Sequence, residues 1–158
     1  EVHRHNLMAL MLQHPNSLDE LALSLHAANV ARDRMPRRRM SSTDIVAKTL
    51  PQLQVPVSAI YGEHDALYRG RLPELQSAMQ TLSPRWGDWH TVPKAGHWVQ
   101  YEAPDAFMTA LLGVAGSFLA SYGGAALGLY APGQAAGFIA SVVGAVILLV
   151  VVGLIRKK

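Results

Sequence analysis

The sequence predicts two parts of different class. Residues 1–105 read as an α/β segment, in which helices lead into a strand–helix–strand unit. Residues 106–158 read as an all-α transmembrane helical hairpin. Three observations carry this division. All 11 Asp and Glu and all 7 His lie before Ala106, and from Ala106 to Ile155 there is no Asp, Glu, Lys, Arg or His. Val55–Tyr61 is an apolar, β-branched-rich run closed by Gly62, and a shorter run follows at Trp89–Val92, which is the signature of buried strands. The uncharged stretch divides at Pro132-Gly133 into Ala106–Tyr130 and Gln134–Ile155, each long enough for a bilayer that about 20 residues suffice to cross.

Charge and cysteine content narrow the function classes. Three of the 14 Lys and Arg are Arg156, Lys157 and Lys158, and the others balance the acidic residues, so the net charge of +3 belongs to the tail. A basic pI of that origin does not argue for nucleic acid, and no nucleic-acid partner is expected. The chain has no cysteine, which excludes disulfides, thiolate catalysis and cysteine-type zinc sites. It opens Glu1-Val2 without a signal-peptide pattern and reads as the tail of something longer or as a processed piece.

Taken in order, His3–Gln13 carries Leu7, Met8, Leu10, Met11 and Leu12, a short helix broken by His14-Pro15-Asn16. Ser17-Leu18-Asp19-Glu20 has the capping-box pattern, with Ser17 as cap and Glu20 reaching back. The helix it opens is expected to run to about Arg34, with Leu18, Leu21, Leu25, Ala28 and Val30 on its apolar stripe. Histidines 3, 5, 14 and 26 lack a tight spacing with a third ligand, so no metal site is expected, and His26 reads as a surface or packing residue. Arg32–Arg39 holds five arginines. It fits either a phosphate or acidic-partner site or a solvated linker, and the interruptions at Asp33 and Pro36 favour the linker. Thr43-Asp44 starts a short helix to Leu50. Pro73–Leu82 is the next helix, with proline in its first turn, where a missing N–H is harmless. Strand, helix and strand form one crossover unit of a parallel sheet.

Asp65 follows the first strand and His97 follows the second, so an acid and an imidazole fall in loops past two strand ends. That is where reactive groups gather in open α/β sheets. A carboxylate beside a histidine holds one tautomer and stabilises the imidazolium. The bland alternatives are a turn aspartate that bonds nearby amides and a Gly-His pair in an ordinary loop.

GEHD after a strand, with AGHWVQYEAPDAF further on, resembles the C-terminal part of the α/β-hydrolases, closest to the esterase and carbon–carbon-bond hydrolase branch. The resemblance covers about residues 1–105. It implies helical-lid residues before the first strand, Asp65 as the acid and His97 as the base of a triad whose order is Ser, Asp, His. The departure is large, because no G-x-S-x-G occurs in the chain and the nucleophile elbow with its oxyanion hole is missing.

The second part has its own pattern. SVVGAVILLVVVGLI followed by RKK is the stronger span; Ser117, Ser121 and several glycines dilute the first. Gly116, Ala120, Gly124 and Gly128 fall four apart, as do Gly137, Ser141 and Ala145, and such small-residue stripes let helices approach closely in lipid. They are the expected helix-packing residues and a surface for self-association. FMTALLGVAGSFLASYGGAALGLY and GFIASVVGAVILLVVVGLIRKK resemble the transglycosylase-associated, small stress-response membrane proteins of bacteria, over about residues 107–158. The chain thus reads as parts of two families joined near residues 104–108.

Together these readings imply a hydrolase-like protein, of ester or carbon–carbon-bond type, with acid and base but no nucleophile. It would be inactive alone, fused to a membrane hairpin, and would meet an ester or ketone substrate only if the missing half were supplied. The alternative is a non-enzymatic, stress-response-type integral membrane protein with a vestigial N-terminal segment. No cofactor is expected; the lipid bilayer is the expected partner. The resemblance implies the bacterial inner membrane. Basic residues beside a span prefer the cytoplasm, which places residues 1–105 and the Arg156-Lys157-Lys158 tail on that side.

Overall fold

The computed structural model describes residues 1–33, 43–129 and 138–156. It divides into two compact units, Glu1–Pro104 and Asp105–Lys158. The described residues are mostly helical and contain one small two-stranded parallel sheet. An α/β-hydrolase fold is not shown.

In the first unit, α1 covers Val2–Asn6 and passes directly into a π-helical turn, Leu7–Met11. The expected single helix to Gln13 therefore changes geometry and stops early. The wider turn, closed by Leu12 N–H donating to the Leu7 carbonyl at 2.8 Å, turns two residues five apart into the same core. Leu7 and Leu12 are both buried there with Ala22, against Met8, Met11, Leu18, Leu23, Trp98 and Tyr101.

Two expectations for α2 are corrected. Glu20–Ala31 is the helix, and its cap is Asp19, whose side chain accepts from Ala22 N–H at 2.8 Å. Ser17 does not cap, because Pro15 starts a 3-10 turn over Pro15–Ser17 that holds Ser17 by its own N–H to the His14 carbonyl. The buried face of α2 is Ala22 and His26, whereas Leu21, Leu25 and Val30 of the expected stripe are exposed. Small Ala22 lets α2 lie close to the N-terminal turns, a fit that leucines would obstruct. The helix ends at Ala31 rather than Arg34, and Arg34–Arg39 lie outside the described residues.

After α3, Ile45–Thr49, and a 3-10 turn at Leu50–Gln52, β1 runs Val57–Gly62. It begins after Pro56, which has no N–H to give a ladder; Val57 N–H bonds the Arg85 carbonyl at 3.0 Å. Helix α4 spans Leu72–Leu82 with Pro73 in its first turn. Strand β2 spans Trp86–Val92, three residues longer at its start than the apolar run suggested. It pairs parallel to β1, Ile60 opposite His90 and Gly62 opposite Val92, with an irregularity between Val57 and Ala59. Gly87 and Asp88 are poor strand formers, and the Ser58 hydroxyl accepts Asp88 N–H at 3.0 Å across that irregularity. The short helix α5, Val99–Glu102, closes the unit.

In the second unit, α6 spans Pro104–Ala126 and α7 spans Phe138–Arg156. Pro104 fits a first helical position, and Asp105 meets the positive end of the helix dipole. The helix runs without interruption through residues 104–108, where the two resemblances meet. Among the described residues, one helix, α6, is long and apolar enough to cross a membrane, with a mean hydropathy of 1.4. At about 1.5 Å per residue it matches a hydrocarbon core of about 30 Å.

Candidate functional site

Asp65 and His97 meet because β1 and β2 end side by side. The turn after β1 is tight: Asp65 N–H bonds the Gly62 carbonyl at 3.1 Å, and Tyr68 N–H bonds the Asp65 carbonyl at 3.1 Å. The loop after β2 lies against it, with Glu63 N–H on the Val92 carbonyl and His64 N–H on the Ala95 carbonyl, each at 2.9 Å. Gly62 permits this approach, since a Cβ there would overlap the carbonyl oxygens of Ala95 and Gly96.

The Asp65 carboxyl is fully buried and uses both oxygens. Oδ1 accepts Leu67 N–H at 2.9 Å, the local turn bond expected of an aspartate in this position. Oδ2 lies 2.8 Å from His97 Nδ1. The turn reading and the paired reading of Asp65 therefore hold together, one on each oxygen. A carboxylate only accepts, so Nδ1–H donates, and in the neutral ring the lone pair falls on Nε2. The His97 side chain is 33% exposed against 2% for Asp65. A buried carboxylate thus orients a partly exposed imidazole, an arrangement able to accept a proton at Nε2.

One residue that composition and spacing passed over organises the same loop. Glu102, at the end of α5, accepts Gly96 N–H on Oε2 at 2.6 Å and the N–H groups of Gln13 and His14 on Oε1 at 2.8 Å each. The only sequence sign was its place in AGHWVQYEAP. Other polar groups tie the unit. Asp19 accepts from the Tyr101 hydroxyl as well as capping α2. That bond holds the Asp19 carboxyl below its ordinary range and raises the Tyr101 phenol. Burial, then Tyr68 and Asp65, raises the Tyr61 phenol, whose ring stacks on Trp89 at 4.8 Å. A shallow depression of about 350 Å³ beside Glu63, Leu72 and Trp89 includes neither Asp65 nor His97. His3 and His26 meet through their Nδ1 atoms at 3.1 Å, a packing pair. Burial and the nearby His3 lower the pKa of His26. Among the described residues, no cluster of three or more His, Asp or Glu is arranged to hold a metal.

The second unit's small residues make the other candidate site. A Cβ on Gly116 would come within 2.7 Å of the Ala145 Cβ, and one on Gly144 would overlap the Gly116 carbonyl and approach the Ala120 Cβ at 3.3 Å. Gly116, Ala120 and Ala145 of the expected stripes thus lie at the α6–α7 contact. Gly144, which the four-residue spacing missed, lies there too. Gly124 is buried. Gly128 is a correction. It lies beyond the end of α6 at φ +73°, where Gly128 N–H bonds the Ala125 carbonyl at 3.1 Å and Leu129 N–H bonds the Gly124 carbonyl at 2.8 Å. This is a Schellman close, which calls for a left-handed glycine after the helix, so Gly128 ends α6 instead of packing against α7. Gly137 lies outside the described residues, as does the side chain of Ser141.

Many of the described large apolar side chains of this unit are exposed, some of them along the groove between α6 and α7, where Leu119, Val143 and Ile147 line a depression with Ala120, Gly124 and Gly144. Leu119, Val143, Val146, Ile147, Leu149 and Val150 are all exposed. Exposed apolar side chains in such number on one pair of helices suit a membrane or another apolar partner.

Residues 110–157 match the family model described as transglycosylase associated protein. The match covers less than a third of the 158-residue chain and lies wholly in the second unit. It supports a transglycosylase-associated segment there and gives no support to the hydrolase resemblance of the first unit. Among curated proteins and among solved structures, nothing matches this chain.

Proposed function

We propose that the protein is a non-enzymatic integral membrane protein of the small, stress-response type, whose working part is a two-helix hairpin formed by α6 and α7. The observation that carries this reading is the α6–α7 contact at Gly116 and Gly144 inside an otherwise lipid-suited surface. In lipid the hydrophobic effect gives helices no reason to associate, so close backbone approach through small residues takes its place. The transglycosylase-associated match over residues 110–157 supports it from the side of sequence. The membrane is the bacterial inner membrane, with the first unit and the basic tail on its cytoplasmic face. Fractionation tests this: the chain should stay with membranes after alkaline carbonate and be released only by detergent. Release by carbonate would contradict insertion.

A second reading is favoured by the 2.8 Å contact between Asp65 and His97. The first unit would then be the acid–base half of a hydrolase site, His97 as base and Asp65 as its orienter, for an ester or ketone substrate. The pair has no G-x-S-x-G nucleophile to activate in this chain, so the 158-residue chain should show no esterase activity above background. Turnover of an activated short-chain ester that disappears in His97→Ala would contradict this expectation.

A further inference from the structure

We propose that Glu102 is the positioning residue for the Asp65–His97 pair, fixing the loop that presents His97; this rests on reading the two as an acid–base pair. The main chain on both sides of His97 is anchored to the same N-terminal turn. Before it, Gly96 N–H goes to Glu102 Oε2 at 2.6 Å, and Glu102 Oε1 takes Gln13 and His14 N–H at 2.8 Å. After it, Trp98 N–H bonds the Met11 carbonyl at 2.9 Å. The main chain is thus held on either side of His97, and its side chain meets Asp65 at 2.8 Å.

The chemistry of the three partners selects a carboxylate. All are N–H donors, and only a carboxylate offers acceptors on every side; an amide would aim its own N–H groups at a donor. The distances are those of charge-assisted bonds. The slot is also closed to growth, because a Cβ on Gly96 would come within 2.8 Å of both Glu102 Oε2 and Gln13 N. Two changes therefore disturb the same hold from opposite sides. Glu102→Gln keeps the shape and removes the charge, and Gly96→Ala keeps the glutamate and fills its slot.

Nitrogen-15 NMR of the histidine-labelled 158-residue chain in detergent micelles reads the result. Wild type should show His97 as the Nδ1–H tautomer. Both variants should lose that signal in favour of the tautomer mixture of an unrestrained imidazole, while the His26 resonances stay in place and report an intact unit. A purely structural clamp would leave the His97 tautomer and its titration unchanged in the folded variants, and that result would overturn the proposal. Wild type that itself lacks the Nδ1–H form would refute the acid–base pair and not the clamp alone. Should Glu102→Gln fail to fold, Gly96→Ala carries the same two outcomes.

Discussion

The two units hold themselves together by opposite means. In Glu1–Pro104, polar side chains reach across long stretches of sequence: Glu102 bonds the amide of a residue 89 positions away, and Asp65 meets a histidine 32 positions away. In Asp105–Lys158, the contact comes from the absence of side chain, where Gly116 and Gly144 let two backbones touch. Water gives the first kind of unit its hydrophobic core and makes polar ties a source of specificity. In the proposed membrane setting, lipid removes that drive between helices, and shape must replace it. One chain therefore carries two different dependences on substitution.

The largest effect should come from placing a charge where shape rules. Gly116→Arg puts a cation near the middle of α6 at the helix contact, which costs at least about 2.5–3.5 kcal/mol for a mid-span arginine. The expected outcome is loss of the carbonate-resistant membrane fraction. The mirror experiment removes a charge where polar ties rule. Glu102→Ala leaves three main-chain N–H groups without their acceptor and should destabilise the first unit by on the order of 3 kcal/mol. All three tryptophans, Trp86, Trp89 and Trp98, lie in that unit, so thermal unfolding followed by tryptophan fluorescence reads it within the full chain.

The same assay separates the two faces of α2. Ala22 is fully buried and Leu21 is 57% exposed. Ala22→Leu should cost roughly 1–3 kcal/mol through overpacking, and Leu21→Ala should stay within about 0.5 kcal/mol. Equal effects would return Leu21 to the buried stripe.

How much of this was legible follows from the range of each interaction. Local signals placed α4, whose Pro73 fits a helix start, and the cores of both strands, whose apolar runs stand out. The start of β2 was hidden because Gly87 and Asp88 have weak strand preference and are held by Ser58, 30 positions earlier. The cap of α2 was misread because Ser17 and Asp19 both suit the role, and only the 3-10 turn that Pro15 nucleates decides between them. Gly128 shares the spacing of the stripe, and nothing in that spacing tells a helix-ending glycine from a packing one. The Asp65–His97 pairing could be read because both residues follow strand ends; the role of Glu102 could not, because its partners are main-chain amides and its place in AGHWVQYEAP does not say what it bonds.

The smallest effect concerns acidity. Burial and His3 keep the His26 pKa below the ordinary 6.5, so the unfolded chain takes up that proton more readily than the folded one. The associated stability is present above about pH 6.5 and is lost as pH falls through the lowered folded value. His26→Gln should flatten the acid side of the unfolding profile. An unchanged profile would show that the His3–His26 contact does not titrate with folding.

The central claim is that α6 and α7 cross the membrane as a pair, and topology decides it most directly. Reporters fused before Glu1 and after Lys158 should both signal from the cytoplasmic side, because two spans return the chain to the face where it entered and the Arg156-Lys157-Lys158 tail favours the cytoplasm. Signals from opposite sides would contradict the hairpin, and two signals from a chain recovered without membranes would contradict the membrane reading as a whole.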